Sequence, residues 1–513
     1  PDGTTLAATY PDASVAAHHR DTGTRVLRSF GSEEILYARS ICVDLERRMV
    51  WCGLGVTPCR VVGFPLDDPD ATTVELSGLP DHLVPSQLVH LGDRIWIRAG
   101  SELWSFDPQD PVAERVAGTE ATLGGHLSPE HRGRTWTTSG DGGLFEIDLA
   151  QRRVVRTVPL GLEGGLLGAS VDDGVLTGLF GYQRPALVRI DLDEQRTLSS
   201  TVAEVAAVPS HMGDLIAVPD TDDFMLSAGQ QGDILRWSRT SDELSAPVTI
   251  GQVESWAWSN DGLLHAGTYP YARLVEVDPQ RLDQPRVLAD LRDSHRQSRP
   301  IAVHPGRGAV WMGTTPGYGL RDGALTRVDP ATGEVTVTMM ADETVHAIAD
   351  DGTALLVGTS PEAGTGAPVH EGTGRLLRID PETLQVLAER PAPALSSSGG
   401  ARTLAAITRF AERWWLVADH AVWQFDPQTL EAEHVADLGA GPSARASFHP
   451  DGDRLVVLVD GEVWTLDAER NVARISQGCH KVAVVDGEVW GIVRPEGGTV
   501  LTDLRRIRPP RRN

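Results

Sequence analysis

Lysine is all but missing from this 513-residue chain: Lys481 is the only one, and arginine supplies the rest of the 46 basic residues. That skew fits GC-rich coding and carries no mechanism. Positive charge is scarce altogether, with 71 acidic residues setting a net charge of −25. A general nucleic-acid binder needs a basic footprint to neutralise phosphates, and none is visible. The same charge argues against an anionic membrane surface, and its plain consequence is solubility. No apolar run approaches the roughly 18–20 residues that span a bilayer. No signal peptide precedes the strand-like pattern at Pro1, which fits a processed form, and a secreted location is favoured.

Cysteine is sparse too: Cys42, Cys52, Cys59 and Cys479. The first three read as free buried thiols or, in an oxidising compartment, as one disulfide such as Cys42–Cys52 or Cys52–Cys59. No CxxC pair or histidine cluster supports zinc, so no metal is expected. Amphipathic helical stripes are missing as well. Without helices between the strands, barrel and doubly wound α/β readings fail.

Glycine (53) and proline (33) are plentiful and spread along the chain, as turns between many short strands require. One phrase recurs, an apolar strand end followed by Asp and often Pro. It stands as Phe106-Asp107-Pro108, Ile147-Asp148-Leu149, Ile190-Asp191-Leu192, Val277-Asp278-Pro279, Val328-Asp329-Pro330, Ile379-Asp380-Pro381, Phe425-Asp426-Pro427 and Leu466-Asp467-Ala468. A strand often carrying Trp precedes it, as in Ala309-Val310-Trp311-Met312, and Gly-Thr usually closes that strand, as in Gly267-Thr268, Gly313-Thr314 and Gly358-Thr359. Four short strands per repeat of about 43 residues is the period of a propeller blade. The chain is therefore expected to be all-β, about twelve four-stranded blades in two rings, six plus six or seven plus five. In each turn the Asp bonds backbone and Pro presets φ, a structural role.

A second periodicity runs at 259–260 residues. Thr9-Tyr10-Pro11 matches Thr268-Tyr269-Pro270, Arg39 matches Arg299, and Val50-Trp51-Cys52-Gly53 matches Val310-Trp311-Met312-Gly313. This duplication predicts a first propeller over 1–255 and a second over 256–513, with closing strands exchanged between termini. The pattern Thr9-Tyr10-Pro11, Tyr37-Ala38-Arg39-Ser40 and Val50-Trp51-Cys52-Gly53 resembles bacterial WD40-like and PQQ-like β-propeller repeat proteins, common in actinobacteria. The resemblance implies the fold and leaves function open, because propellers host unrelated activities. The Trp docking positions of PQQ dehydrogenases are not recognisable, so no PQQ or other cofactor is expected.

Tyrosine is rare as well, with six in all. Five lie in the duplicated units: Tyr10 and Tyr37, then Tyr269, Tyr271 and Tyr318; Tyr182 stands beside Arg184. Tyr both stacks and hydrogen-bonds, and Arg39 and Arg299 precede inner strands that can face a funnel. These residues form a candidate site for a carbohydrate or small polar ligand, with Tyr10, Tyr37, Arg39, Tyr182, Arg184, Tyr271 and Tyr318 in binding roles. Tyr269, His265 and Arg299 are the candidates for polysaccharide-lyase chemistry, in which Arg neutralises a uronic carboxylate and His or Tyr moves the proton. His304 and His449 are expected in turns, and His90, His211 and His346 near inner strands. No Gly-x-Ser-x-Gly, His-Glu-x-x-His or P-loop appears. The rival reading is a scaffold for protein partners, with filled channels and a flat apolar rim.

Overall fold

A computed structural model describes the whole chain except residues 1–2, 11, 33–34, 56–57, 120–122, 141, 163, 182–184, 203–210, 366, 368–370, 393–401, 440–444, 494–502 and 508–513. It is all-β, with one short helix, Arg292–His295. Twelve antiparallel sheets of three to five strands follow one another along the chain as propeller blades. They are numbered here 1 (5–29), 2 (38–75), 3 (85–115), 4 (134–159), 5 (166–202), 6 (212–249), 7 (252–290), 8 (297–340), 9 (344–391), 10 (404–437), 11 (446–477) and 12 (479–507).

Each recurring element of the sequence has a physical job. The Trp of the second strand is driven out of water between neighbouring blades: Trp51, Trp96, Trp311 and Trp415 are all fully buried. The Gly that follows has no room for a side chain, because a Cβ on Gly313 would lie 2.8 Å from Val345 Cβ in the next blade. Thr then replaces a ladder partner, as Thr359 Oγ1 accepts from the Arg375 backbone N–H at 2.8 Å. The Asp closes the next turn. Asp329 Oδ1 accepts from Ala331 and Thr332 backbone N–H at 2.8 and 3.1 Å, and Asp380 and Asp426 do the same in blades 9 and 10. Those donors favour the ionised form, so the three carboxyls sit below the ordinary aspartate range.

The chain divides into two compact units, Pro1–Ala207 and Val208–Asn513. The first holds blades 1–5, with hydrophobic clusters joining blade 1 to 2, 2 to 3, 3 to 4 and 4 to 5. Blade 1 carries three strands, counterparts of the second, third and fourth strands of blade 7. The second unit is a closed ring of seven. A hydrophobic cluster fills every interface from blade 6 to blade 12, and a last one joins Leu215, Phe224 and Leu226 of blade 6 to Ala483, Val485 and Ile492 of blade 12.

The division at 207/208 differs from the expected 255/256. Blade 6 falls ahead of the duplicated unit in sequence, yet its innermost strand, Met212–Ala217, packs on Cys479–Val485 and completes the later ring. The 260-residue duplication counts blades; it does not mark where a ring closes. One further expectation is corrected. His304 and His449 lie within strands Gln297–Gly306 and Ala446–Asp451 rather than in turns, because the ladder continues through His304↔Trp311 and His449↔Val456. All four cysteines are free thiols, and burial pushes Cys42, Cys52 and Cys59 up to about 12.

Candidate functional site

The innermost strands of the second ring share an irregularity. Pairing with the second strand slips by one residue at Gly213, Glu254, Ser298, Ile301, His346, Ala405 and His480. A bulged residue leaves the ladder and has its side chain re-aimed. All seven line one central cavity of about 760 Å³, contributed by blades 6–12. Blade 11 has no such slip in its inner pairing and offers Ala446 and Ser447 directly.

The wall is polar, and its cations are paired. Arg299 donates to Glu254, which also accepts from Gln252 Nε2 at 2.9 Å. The Arg299 guanidinium lies over the Tyr269 ring, 4.1 Å from its centroid, and the Tyr269 and Tyr318 hydroxyls are 2.7 Å apart. Two seams along the ring, Lys481 donates to Asp214 at 2.6 Å, tying blade 12 to blade 6. His346 Nε2 stands 3.4 Å from Glu362 and 3.0 Å from Thr344 Oγ1. Asp460 lies 2.9 Å from His420 Nε2. Burial pushes the Glu362 carboxyl up, opposed by Arg445 and Arg402. Burial likewise raises the Cys479 thiol. Among the described residues no group of three or more His, Cys, Asp and Glu is placed to hold a metal ion.

Of the residues singled out from sequence, Arg299, Tyr269 and Tyr318 come together, with Arg299 and Tyr318 on the cavity wall. Tyr271 is held between Arg273 and Arg292, 4.4 and 4.0 Å from its ring centroid, away from that wall. His265 stands apart. It shares strand Leu264–Tyr269 with Tyr269, and four residues of extended chain separate them by about 13 Å. It is buried beside Glu276 at 3.3 Å, and desolvation lowers its pKa despite that carboxylate.

In the first unit Tyr10 stacks on Tyr37 with centroids 4.4 Å apart, and Arg39 lies over the Tyr37 ring, also at 4.4 Å. Arg39 is itself the bulged residue of blade 2, so its register counterpart in blade 8 is Ile301; the hairpin joining the first two strands is two residues shorter in blade 8, which takes Arg299 out of that position. Tyr182 and Arg184 lie outside the described residues. Sequence reasoning missed Glu254, Glu362, Asp460 and Lys481. Two signals were available: the solitary lysine, and the break in strand alternation at Glu254.

Beside the cavity, His449 Nε2 meets Ser447 Oγ at 2.8 Å. Burial, reinforced by the Lys481 charge, lowers its pKa to about 4. A histidine lowered in the folded state binds protons more readily when unfolded. It therefore costs stability as pH falls from about 6.5 to about 4. Chemical unfolding across that range is expected to show the wild type losing more stability on acidification than His449→Gln. Equal slopes would contradict a His449 held neutral in the fold.

No family model and no curated protein matches the chain. Solved structures are similar over long stretches. The extracellular domain of a one-component system from B. thetaiotaomicron is 10% identical over 95% of this chain and 73% of its own, with a TM-score of 0.39. The β-propeller domain of Cps50 (Swd1) from Myceliophteria thermophila is 13% identical over 56% of this chain and 94% of its own, at 0.42. The computationally designed Ika8 protein is 13% identical over 67% of this chain and 95% of its own, at 0.35. Likeness of this degree says nothing of activity. Among the described residues no helix is long and apolar enough to cross a membrane.

Proposed function

We propose that the second propeller recognises a carbohydrate or other small polar ligand in its central cavity. The observation that carries this reading is the polar 760 Å³ cavity at the ring centre, with Tyr318 and paired donors and acceptors on its wall. Its volume falls in the usual range for small-molecule sites, roughly 300–1,000 Å³. A pure scaffold needs no such opening. The paired charges select for neutral polyhydroxylated ligands, because hydroxyls can accept from Arg299 and Lys481 and donate to carboxylates without unmaking an ion pair. Lyase chemistry asks more of the same residues. Arg299 would have to exchange Glu254 for a uronic carboxylate and leave a side chain only 7% exposed without its cation, a costly exchange.

Calorimetric titration of the full chain with neutral sugars and with uronic acids tests the reading. Neutral sugars are expected to bind at least as well as uronates, and Tyr318→Ala is expected to weaken binding about tenfold or more, some 1.4 kcal/mol. Failure of every sugar to bind, or indifference to Tyr318→Ala, would remove the proposal. Ultraviolet absorbance of polyuronate digests reports unsaturated products, and their appearance would restore the lyase reading.

A further inference from the structure

We propose that the first unit binds an oxyanion, the carboxylate or phosphate group of a small molecule, at Arg98 and His126 between blades 3 and 4. The site belongs to a different unit from the cavity described above and does not depend on sugar binding there.

Arg98 occupies a place that the repeat reserves for glycine. Just after the slip in each innermost strand, pairing resumes with Gly53 in blade 2, Gly267 in blade 7, Gly313 in blade 8 and Gly358 in blade 9. Glycine is needed there because the first strand of the following blade presses on it. A Cβ would collide with Pro85, Pro300, Val345 and Leu404 respectively. In blade 3 the same pair is Gln87↔Arg98. A long side chain fits because, among the described residues, the sheet of blade 4 has three strands and no innermost one. The segment that precedes it, 123–128, is held against blade 5 instead. There the His126 backbone N–H donates to the Leu166 carbonyl at 2.7 Å. The approach is close enough that a Cβ on Gly165 would strike the Gly124 carbonyl, and one on Gly125 the Leu166 nitrogen.

The opening beside blade 3 holds positive charge without an acid. Gln87 reaches across it and accepts from the Leu127 backbone N–H at 2.8 Å. The Arg98 side chain meets no carboxylate, aromatic ring or hydrogen-bond acceptor among the described residues. Its Nε is sealed from water without a partner, while both Nη groups remain open to solvent. Burial lowers its pKa, and no carboxylate offsets that. Other arginines of these two blades are answered: Arg94 by Glu114, and Arg134 by Asp148. His126 lies near enough for the Arg98 charge to act on it. Burial and that charge lower its pKa, against a hydrogen bond to the Leu167 backbone. An oxyanion supplies the missing counter-charge. Two of its oxygens can accept from the two Nη groups, the paired geometry that a guanidinium offers to carboxylate and phosphate alike. Its charge also favours a proton on the neighbouring imidazole.

The test is calorimetric titration of the full chain with sodium acetate and, separately, with inorganic phosphate, at an ionic strength fixed by chloride. Saturable binding of at least one is expected, and the tighter of the two identifies the ligand group. Arg98→Gln should weaken it about tenfold or more. Arg98→Lys should keep part of it, since the charge stays and the fork is lost. His126→Leu should weaken it by a smaller factor. Urea unfolding separates binding from a purely structural role. With no partner to lose and an unanswered buried Nε removed, Arg98→Met should unfold without anion at the same urea concentration as the parent or a higher one. It should also lack the rise in midpoint that a bound anion gives the parent. Three results would overturn the site. One is that neither anion binds the parent. Another is that Arg98→Gln or His126→Leu binds as tightly as the parent. The third is that Arg98→Met unfolds at clearly lower urea without anion, which would make the guanidinium part of the packing.

Discussion

Trp311→Ala is expected to destabilise the second unit by about 3–5 kcal/mol, the cost of emptying a large aromatic from a packed core. Trp311 is fully buried between blades 8 and 9 among Leu325, Val345, Leu355, Val357, Leu377 and Ile379. Its indole N–H donates to the Pro381 carbonyl at 3.1 Å, so alanine leaves a void and an unanswered acceptor in the neighbouring blade. In a closed ring, a loosened interface affects the whole circle, since each blade buries both faces against its neighbours. Urea unfolding of the wild type, Trp311→Ala and Trp311→Phe measures the effect. The phenylalanine variant should recover most of the burial but not the hydrogen bond. A loss under about 1 kcal/mol for alanine would show that the interface relaxes and that the tryptophan is dispensable.

Lys481→Met should cost about 3 kcal/mol, the low end expected for breaking a buried ion pair from one side. Lys481 reaches the cavity water, while its partner Asp214 is almost wholly enclosed and would be left with an uncompensated charge. Asp214 also accepts from the Leu215 backbone N–H at 2.8 Å, which fixes its direction. The pair spans the seam between blades 12 and 6, where the last blade meets the first. Adding Asp214→Asn removes the stranded charge and should return a large part of the lost stability. Unfolding of the two single variants and the double variant measures the coupling. Additive losses would mean that the pair contributes nothing as a pair.

These residues also show what was legible in the sequence. The blades were, because each is a local pattern: a Trp that must be buried, a Gly that must admit its neighbour, an Asp that must close a turn. Ring closure was not, because the contact of Met212–Ala217 with Cys479–Val485 joins segments more than 250 residues apart, and neither strand carries a local mark of its partner. The rarity of Tyr and Arg-bearing inner strands led to Arg299, Tyr269 and Tyr318. Closeness in sequence misled at His265, since an extended strand carries neighbours apart faster than a helix does. Glu362 and Asp460 were lost among 71 acidic residues, and only the folded ring brings them to one cavity wall.

The slipped pairing of the inner strands has a consequence for how such a protein can change over generations. A residue inside the ladder answers to its cross-strand partners and to the core, so its replacement disturbs stability. The skipped residue has no cross-strand partner and faces the cavity instead. Six blades of the second ring each present at least one such position, occupied now by side chains as different as glycine, alanine, histidine and glutamate. The ring thus works as a rack of separately exchangeable chemical groups, and a new specificity can be assembled one blade at a time.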